Sequence, residues 1–293
     1  MANLKEIRTR ITSVKTTRQV TSAMKVVSAA KLKKAQDAIL QIRPYAIKLS
    51  ELLATLSAVL EDSQDSDYTV QRIPEKVLIV VISSNRGLCG GFNSYITKKA
   101  MALAKTTYNE QWKAGNLSFL VIGKQAEKIL RSYNFNPVAI HNELFDHLTF
   151  ESVLVIAQQL MVDFVSGKYD RIELVYNKFI NAAIQEMVTE QLLPVLPAPT
   201  PLKASTNVNY IFEPSLEYII EKLIPRSLSI QFYKALLNSF AAEHGARMTA
   251  MHKATDNATD LINELTLTFN KARQAAITNA ILEVTNGAEA LNG

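Results

Sequence analysis

The stretch Ala246–Asn286, ARMTAMHKATDNATDLINELTLTFNKARQAAITNAILEVTN, decides the fold of this chain. It contains no Gly or Pro, so nothing in it forces a helix to stop, and at about 1.5 Å per residue it spans roughly 60 Å. That is far longer than an ordinary domain helix. Met248, Met251, Thr255, Ala258, Ile262, Leu265, Phe269, Ala272 and Ala276 recur at alternating steps of three and four, a heptad seam that requires a partner helix. The seam then slips by one residue and continues as Ile277, Ile281, Val284, Ala288 and Leu291. A repeat that yields in this way predicts a tip that leaves its partner and meets something else.

The partner is at the other end of the chain. Met1–Arg43 also lacks Gly and Pro, and Pro44 is its first interruption. Leu4, Ile7, Ile11 and Val14 start an apolar stripe, Val20, Met24 and Val27 carry it on a shifted face, and Leu32, Ala35, Ile39 and Ile42 resume it. Neither stripe is broad enough to face a globular core, so the two terminal helices are expected to wrap round each other antiparallel.

Between them the pattern changes. Glu61–Pro74 is acidic and polar and reads as a linker, after which Val77–Ser83, VLIVVIS, is a continuous β-branched run of the kind buried on both faces of a parallel sheet. Helices over Ser94–Ala104, Lys124–Tyr133 and Phe150–Val165 alternate with strands over Leu117–Ile122 and Arg171–Tyr176, and Gln185–Val195 adds a further extended segment. Pro194, Pro197, Pro199 and Pro201 end this region, and the helical pattern returns from Pro214, with Pro225 at its start or a kink. The expected fold class is therefore mixed α+β and α/β: a long antiparallel two-helix coiled coil from the chain termini with an inserted Rossmann-like α/β domain. The boundaries are a first shaft helix over 1–60, the inserted domain over 75–200 and a second shaft helix over 208–291.

With 48% hydrophobic residues in 293, the chain can bury a sizeable core. No apolar run approaches a bilayer span, the N-terminus has no secretory pattern, and the single cysteine, Cys89, forms neither a disulfide framework nor a soft-metal cluster. The net charge of +5 is uneven: Met1–Arg43 holds ten basic residues against Glu6 and Asp37, a local +8, which leaves about −3 for the rest. So concentrated a charge predicts an acidic partner surface or nucleic acid.

Sites for chemistry are scarce. Ser84–Gly91, SNRGLCGG, follows a buried strand and precedes a helix, where a nucleotide phosphate could sit, but its glycine spacing fits neither dinucleotide nor P-loop fingerprints. It reads as a tight backbone turn. His141, His147, His244 and His252 show no ligand spacing with acids, and no nucleophile–base set or carboxylate pair stands out. The chain is expected to be non-catalytic, with no cofactor and no metal.

The two ends nonetheless carry specific motifs. Leu4–Ile11 (LKEIRTRI) with Val14–Leu32 (VKTTRQVTSAMKVVSAAKL), Glu243–Ala258 (EHGARMTAMHKATDNA) with Asn270–Thr278 (NKARQAAIT), and the turn Ser84–Asn93 (SNRGLCGGFN) together resemble the gamma subunit of F-type ATP synthases over nearly the whole chain. Departures fall at Val26, Ala280 and Asn286, where the family often has Met, Glu and Gly. The resemblance implies a central rotor stalk that couples proton-driven rotation of the membrane ring to the conformational cycle of catalytic beta subunits. It implies alpha and beta subunits, epsilon and the membrane c-ring as partners, with ATP formed on beta. By analogy Met24, Arg247, Arg273, Gln274 and Thr278 match contacts to the surrounding subunits, and Tyr210 and Glu213 match foot positions near the membrane ring and epsilon. The lack of a cysteine pair argues against the thiol-regulated chloroplast form. A bacterial complex on the cytoplasmic face of the inner membrane is expected. Two rivals follow from the residues alone. A coiled-coil adaptor with a nucleic-acid-binding basic helix is disfavoured by the few aromatics and missing groove-reading motif, and a nucleotide-binding α/β enzyme predicts ATP binding by the isolated chain.

Overall fold

The computed structural model describes residues 4–59, 67–195, 213 and 216–292. In chain order they form α1 (Leu4–Val59), β1 (Val77–Ile82), α2 (Phe92–Thr106), α3 (Asn109–Lys113), β2 (Leu117–Ile122), α4 (Lys124–Ser132), β3 (Ala139–Ile140), α5 (Phe150–Val165), β4 (Arg171–Phe179), β5 (Gln185–Leu193) and α6 (Leu216–Asn292). The chain divides into two compact units, one of Met1–Ser28 with Met248–Gly293 and one of Ala29–Arg247.

In the first unit, α1 and α6 meet along a strict heptad seam. On α1 the buried and half-buried positions are Leu4, Ile7, Ile11, Val14, Arg18, Thr21, Lys25 and Ser28, with Met24 half-buried beside them. On α6 the seam holds Met248, Met251, Thr255, Ala258, Ile262, Leu265, Phe269 and Ala272. The Thr21 and Thr255 hydroxyls lie 2.8 Å apart across it. Seventeen residues back from Thr21 is Leu4, where α1 begins, and seventeen on from Thr255 is Ala272, after which every described side chain of α6 is exposed. Antiparallel pairing accounts for this correspondence: burial on α6 continues as far as the position opposite Leu4, the first described residue of α1. The remaining twenty or so residues of α6, roughly 30 Å of helix, have no partner helix among the described residues. Ala276, Ile277, Ile281, Val284 and Ala288 are thus bare, and the side chain of Leu291 lies outside the described residues.

The structure corrects the expected path of the stripe on α1. Val20 and Val27 are 52% and 56% exposed, while the small polar Thr21 and Ser28 occupy the seam. Two helices packed side by side accept only positions spaced at 3.5 residues, so the register started by Ile7 and Ile11 overrides the larger side chains nearby. Small residues there allow close approach of the backbones. Neither Pro44 nor Pro225 ends its helix; the exposure of Pro44 leaves water to satisfy the carbonyl whose partner it removes.

The second unit is a three-layer α/β/α arrangement around a five-stranded sheet of order β3-β2-β1-β4-β5. β1 pairs parallel with both β2 and β4, β2 with β3, and β5 closes the edge antiparallel to β4. All six residues of β1 are buried. Leu78, Val80 and Ile82 enter a core with α5 and with Ile224, Leu228, Phe232 and Leu236 of α6, while Val77, Ile79 and Val81 enter a second core with α2 and α4. This is why β1 reads as an unbroken apolar run, β-branched at every position but Leu78. Within the proline-rich connection, residues 196–212 lie outside the described residues.

Candidate functional site

The most constructed polar site lies at the carboxyl end of β1, at the point in the sheet order where strands turn from β2 to β4. In open α/β sheets this crevice is where ligands bind. Here the chain fills it with itself. Ser84 and Asn93 lock the start of the turn, with the Ser84 amide donating to Asn93 Oδ1 at 3.0 Å and Asn93 Nδ2 donating to Ser84 Oγ at 2.8 Å. Asn177 Nδ2 of β4 donates to the Phe92 carbonyl at 3.5 Å. Cys89 and Phe92 pack on Ala242 of α6, and burial pushes the Cys89 thiol up, so this cysteine is a small core residue rather than a nucleophile.

Arg247 ties the outer part of the turn to α6. Its guanidinium donates to the Arg86 carbonyl at 3.0 Å and to the Gly87 carbonyl at 3.3 Å, and pairs with Glu243 one helical turn earlier at 2.7 Å. Arg247 and Glu243 are both buried. A planar fork can serve a carboxylate and two carbonyls together, which an ammonium cannot do with the same geometry. Burial pushes the Glu243 carboxyl up, and Arg247 opposes that shift. His244 completes the cluster, with Nδ1 3.4 Å from an Arg247 nitrogen and its ring edge-on to Phe240. Burial first, then the charges of Arg247 and Lys31, lower its pKa to about 3. The imidazole is therefore neutral at physiological pH, and its buried Nε2 has no hydrogen-bond partner among the described residues.

Gly245 sits in the same helical turn for a steric reason. A Cβ there would lie 3.3 Å from Phe179 Cε2 and 3.4 Å from Ala182 Cα, so the β4–β5 hairpin closes directly on the helix backbone. On the other side of the clamp the turn is strained. Leu88 has φ +61 and Gly90 has φ +61; glycine adopts this freely, but for leucine it costs on the order of 1–2 kcal/mol. The Leu88 side chain is 65% exposed.

A family profile described as ATP synthase matches residues 3–291. The ATP synthase gamma chain of Flavobacterium johnsoniae is 58% identical over the whole of both chains, and that of Christiangramia forsetii is 53% identical, again over the whole of both. The chain belongs to the gamma-chain family of ATP synthase. A chain from the central stalk and c-ring of the Tetrahymena thermophila mitochondrial ATP synthase is 26% identical, with a TM-score of 0.61 over 80% of this chain and 99% of that one. A chain from the Euglena gracilis mitochondrial ATP synthase shares the fold, with a TM-score of 0.71 at 19% identity over 98% of this chain and 94% of that one.

The residues that the gamma-chain resemblance singled out fall into distinct environments. Arg273, Gln274 and Thr278 are exposed on the unpaired part of α6, where the Thr278 hydroxyl donates to the Gln274 carbonyl at 3.0 Å. Met24 is half-buried on α1. Arg247 is buried, with its guanidinium engaged inside the chain. Glu213 is exposed, and Tyr210 lies outside the described residues. Sequence reasoning gave Glu243 and Leu88 no role of their own and weighed His244 only as a possible metal ligand. The available signal was the opposite charges at Glu243 and Arg247, four apart, next to a glycine inside a long helix.

Proposed function

We propose that this chain is the central rotor stalk subunit of an F-type ATP synthase, coupling proton-driven rotation of the membrane ring to the conformational cycle of catalytic beta subunits. It makes no ATP itself. The observation that carries this reading is the bare end of α6 beyond Ala272, a single helix whose Ile277, Ile281 and Val284 are exposed. Apolar side chains on an unpaired helix call for a surrounding surface, and a sleeve of alpha and beta subunits supplies one without a fixed orientation. Arg273, Gln274 and Thr278, on the same segment, are assigned to contacts with that sleeve, and Met24 with them. The +8 charge of Met1–Arg43 adds long-range attraction to acidic loops on the catalytic subunits. Tyr210 and Glu213 are assigned to the foot, toward epsilon and the c-ring, and the complex to the cytoplasmic face of the bacterial inner membrane.

The test is reconstitution with alpha and beta subunits, and then with the membrane sector, measuring ATP hydrolysis and ATP-driven proton uptake with and without this chain. Sustained turnover and proton uptake are expected only when it is present. Equal activity on omission removes the assignment.

A further inference from the structure

We infer that the layer formed by α2, α3 and α4 is a docking face for the anionic headgroups of a phospholipid surface. Residues 92–133 hold seven cations against Glu110 and Glu127, a local +5 equal to the net charge of the whole chain. The helix period puts most of that charge on one side. On α2 the buried side is Ile96, Ala100 and Ala104, so Tyr95, Lys98, Ala102 and Lys105, spaced by three and four, form its exposed stripe. On α4 Ala126 and Leu130 are buried, and Lys124, Lys128 and Arg131 make the exposed stripe. Both helices pack over Val77, Ile79 and Val81, whereas α5 and α6 cover the other face of the sheet. The two stripes therefore look outward from one layer, and Lys113 at the end of α3 is exposed with them. Among the described residues only Arg131 of these cations has an ion-pair partner, Glu127 at 3.1 Å.

The charge sets the sign of the partner, and three details select a lipid surface. Six of the seven cations are lysines, point charges that suit a diffuse anionic surface better than the fixed fork by which arginine reads a single phosphate or base. Aromatic rings lie among them: Tyr95 and Tyr133 are 61% and 54% exposed, and Trp112, 39% exposed, has the Lys105 ammonium 5.5 Å from its ring centroid. Rings with a polar atom settle at the level of lipid headgroups. Residues 142–170, which include α5 on the opposite face, hold five carboxylates against Lys168. An anionic surface therefore attracts one side of this unit and repels the other, which orients it.

This inference rests on the stalk function proposed above, which sets the chain beside a membrane, and the experiment separates the two. The full chain is sedimented with vesicles of phosphatidylcholine alone and of an equimolar mixture with phosphatidylglycerol. Two triple variants are compared with wild type: Lys98→Gln, Lys113→Gln and Lys128→Gln on the proposed face, and Arg8→Gln, Arg10→Gln and Lys15→Gln on α1. Binding is expected only to the mixed vesicles and should weaken with salt. Each lysine near an anionic surface contributes a factor of about five, so the face variant should lose about a hundredfold in partitioning, with its thermal midpoint within a degree or two of wild type. Trp112, the only tryptophan, should shift its emission to the blue and be quenched by brominated lipid. Equal binding to neutral vesicles, undiminished binding of the face variant, or unquenched Trp112 overturns the inference, as does a loss confined to the α1 variant. Release from the vesicles by duplex DNA at a lower phosphate concentration than the lipid presents overturns the lipid assignment in favour of nucleic acid. Wild-type chain that binds the mixed vesicles but supports no turnover with alpha and beta subunits counts against the stalk function alone.

Discussion

Thr21 Oγ1 and Thr255 Oγ1 lie 2.8 Å apart across the seam of α1 and α6, a hydrogen bond between residues at opposite ends of the chain. The Thr255 hydroxyl also reaches the Met251 carbonyl at 2.8 Å. The Thr21 hydroxyl likewise reaches the Arg18 carbonyl at 3.0 Å, so each hydroxyl has a carbonyl of its own helix in range and either can donate to the other across the seam. The bond fixes the axial register of the pair, and that register determines how much of α6 stands free.

Replacing one partner leaves a polar group in the seam without its mate, whereas replacing both with a shape-matched apolar residue does not. Thr21→Val and Thr255→Val are each expected to cost about 1 kcal/mol, and the double variant to lie within about 0.5 kcal/mol of wild type. Urea denaturation of the four proteins checks this; simple additivity of the two single losses would contradict the pairing.

His244 should make the chain acid-sensitive. Its folded pKa, lowered to about 3 by burial and by the charges of Arg247 and Lys31, lies below the unfolded value. Its contribution to stability is complete above about pH 6.5 and drains away as pH falls from there toward 3, since the unfolded chain takes up the proton first. His244→Phe removes that titration. Thermal midpoints measured from pH 7 to pH 4 should fall less steeply for the variant, and identical slopes would show that His244 does not contribute.

Tyr108 should act at the other end of the scale. Its ring is buried and its hydroxyl donates to Glu173 at 2.6 Å; burial first, then that carboxylate, raise its pKa to about 12. A raised phenol contributes stability that is intact below about pH 10 and is lost as pH climbs toward 12. Tyr176, raised by burial and by Glu190, works in the same direction, so Tyr108→Phe is expected to flatten part of the alkaline decline. The check is the denaturation midpoint from pH 9 to pH 11.5, and a decline as steep as that of wild type would exclude Tyr108.

Truncation after Ala276 separates stability from function. The described side chains removed are exposed, so the thermal midpoint should move by no more than a degree or two, within the range of ordinary surface changes. The reconstituted complex should nevertheless lose proton uptake relative to ATP hydrolysis. A fall in midpoint of ten degrees or more would mean that the tip packs within the chain.

Much of the architecture was legible because each element had a local physical cause. β2 and α5 begin and end at the expected residues, and β1 covers all but the last residue of its expected run. A strand buried on both faces can only be apolar, and a run without Gly or Pro gives a helix no reason to stop. The site was less legible. Arg247 was noticed as a residue that touches a partner, while its engagement with Glu243, Arg86 and Gly87 depends on a turn 160 residues away in sequence, which no local pattern encodes.

The sequence by itself determined the two long terminal helices, the α/β insertion between them and the concentration of positive charge near the N-terminus, since propensity, hydrophobic period and charge are local properties. Only the tertiary structure decided that Thr21 and Ser28, rather than Val20 and Val27, face the partner helix, that burial on α6 ends at Ala272, and that Arg247 closes over the turn that follows β1. Each of these depends on which distant segment lies alongside. Packing geometry between segments, rather than the hydrophobicity of any one residue, sets that choice.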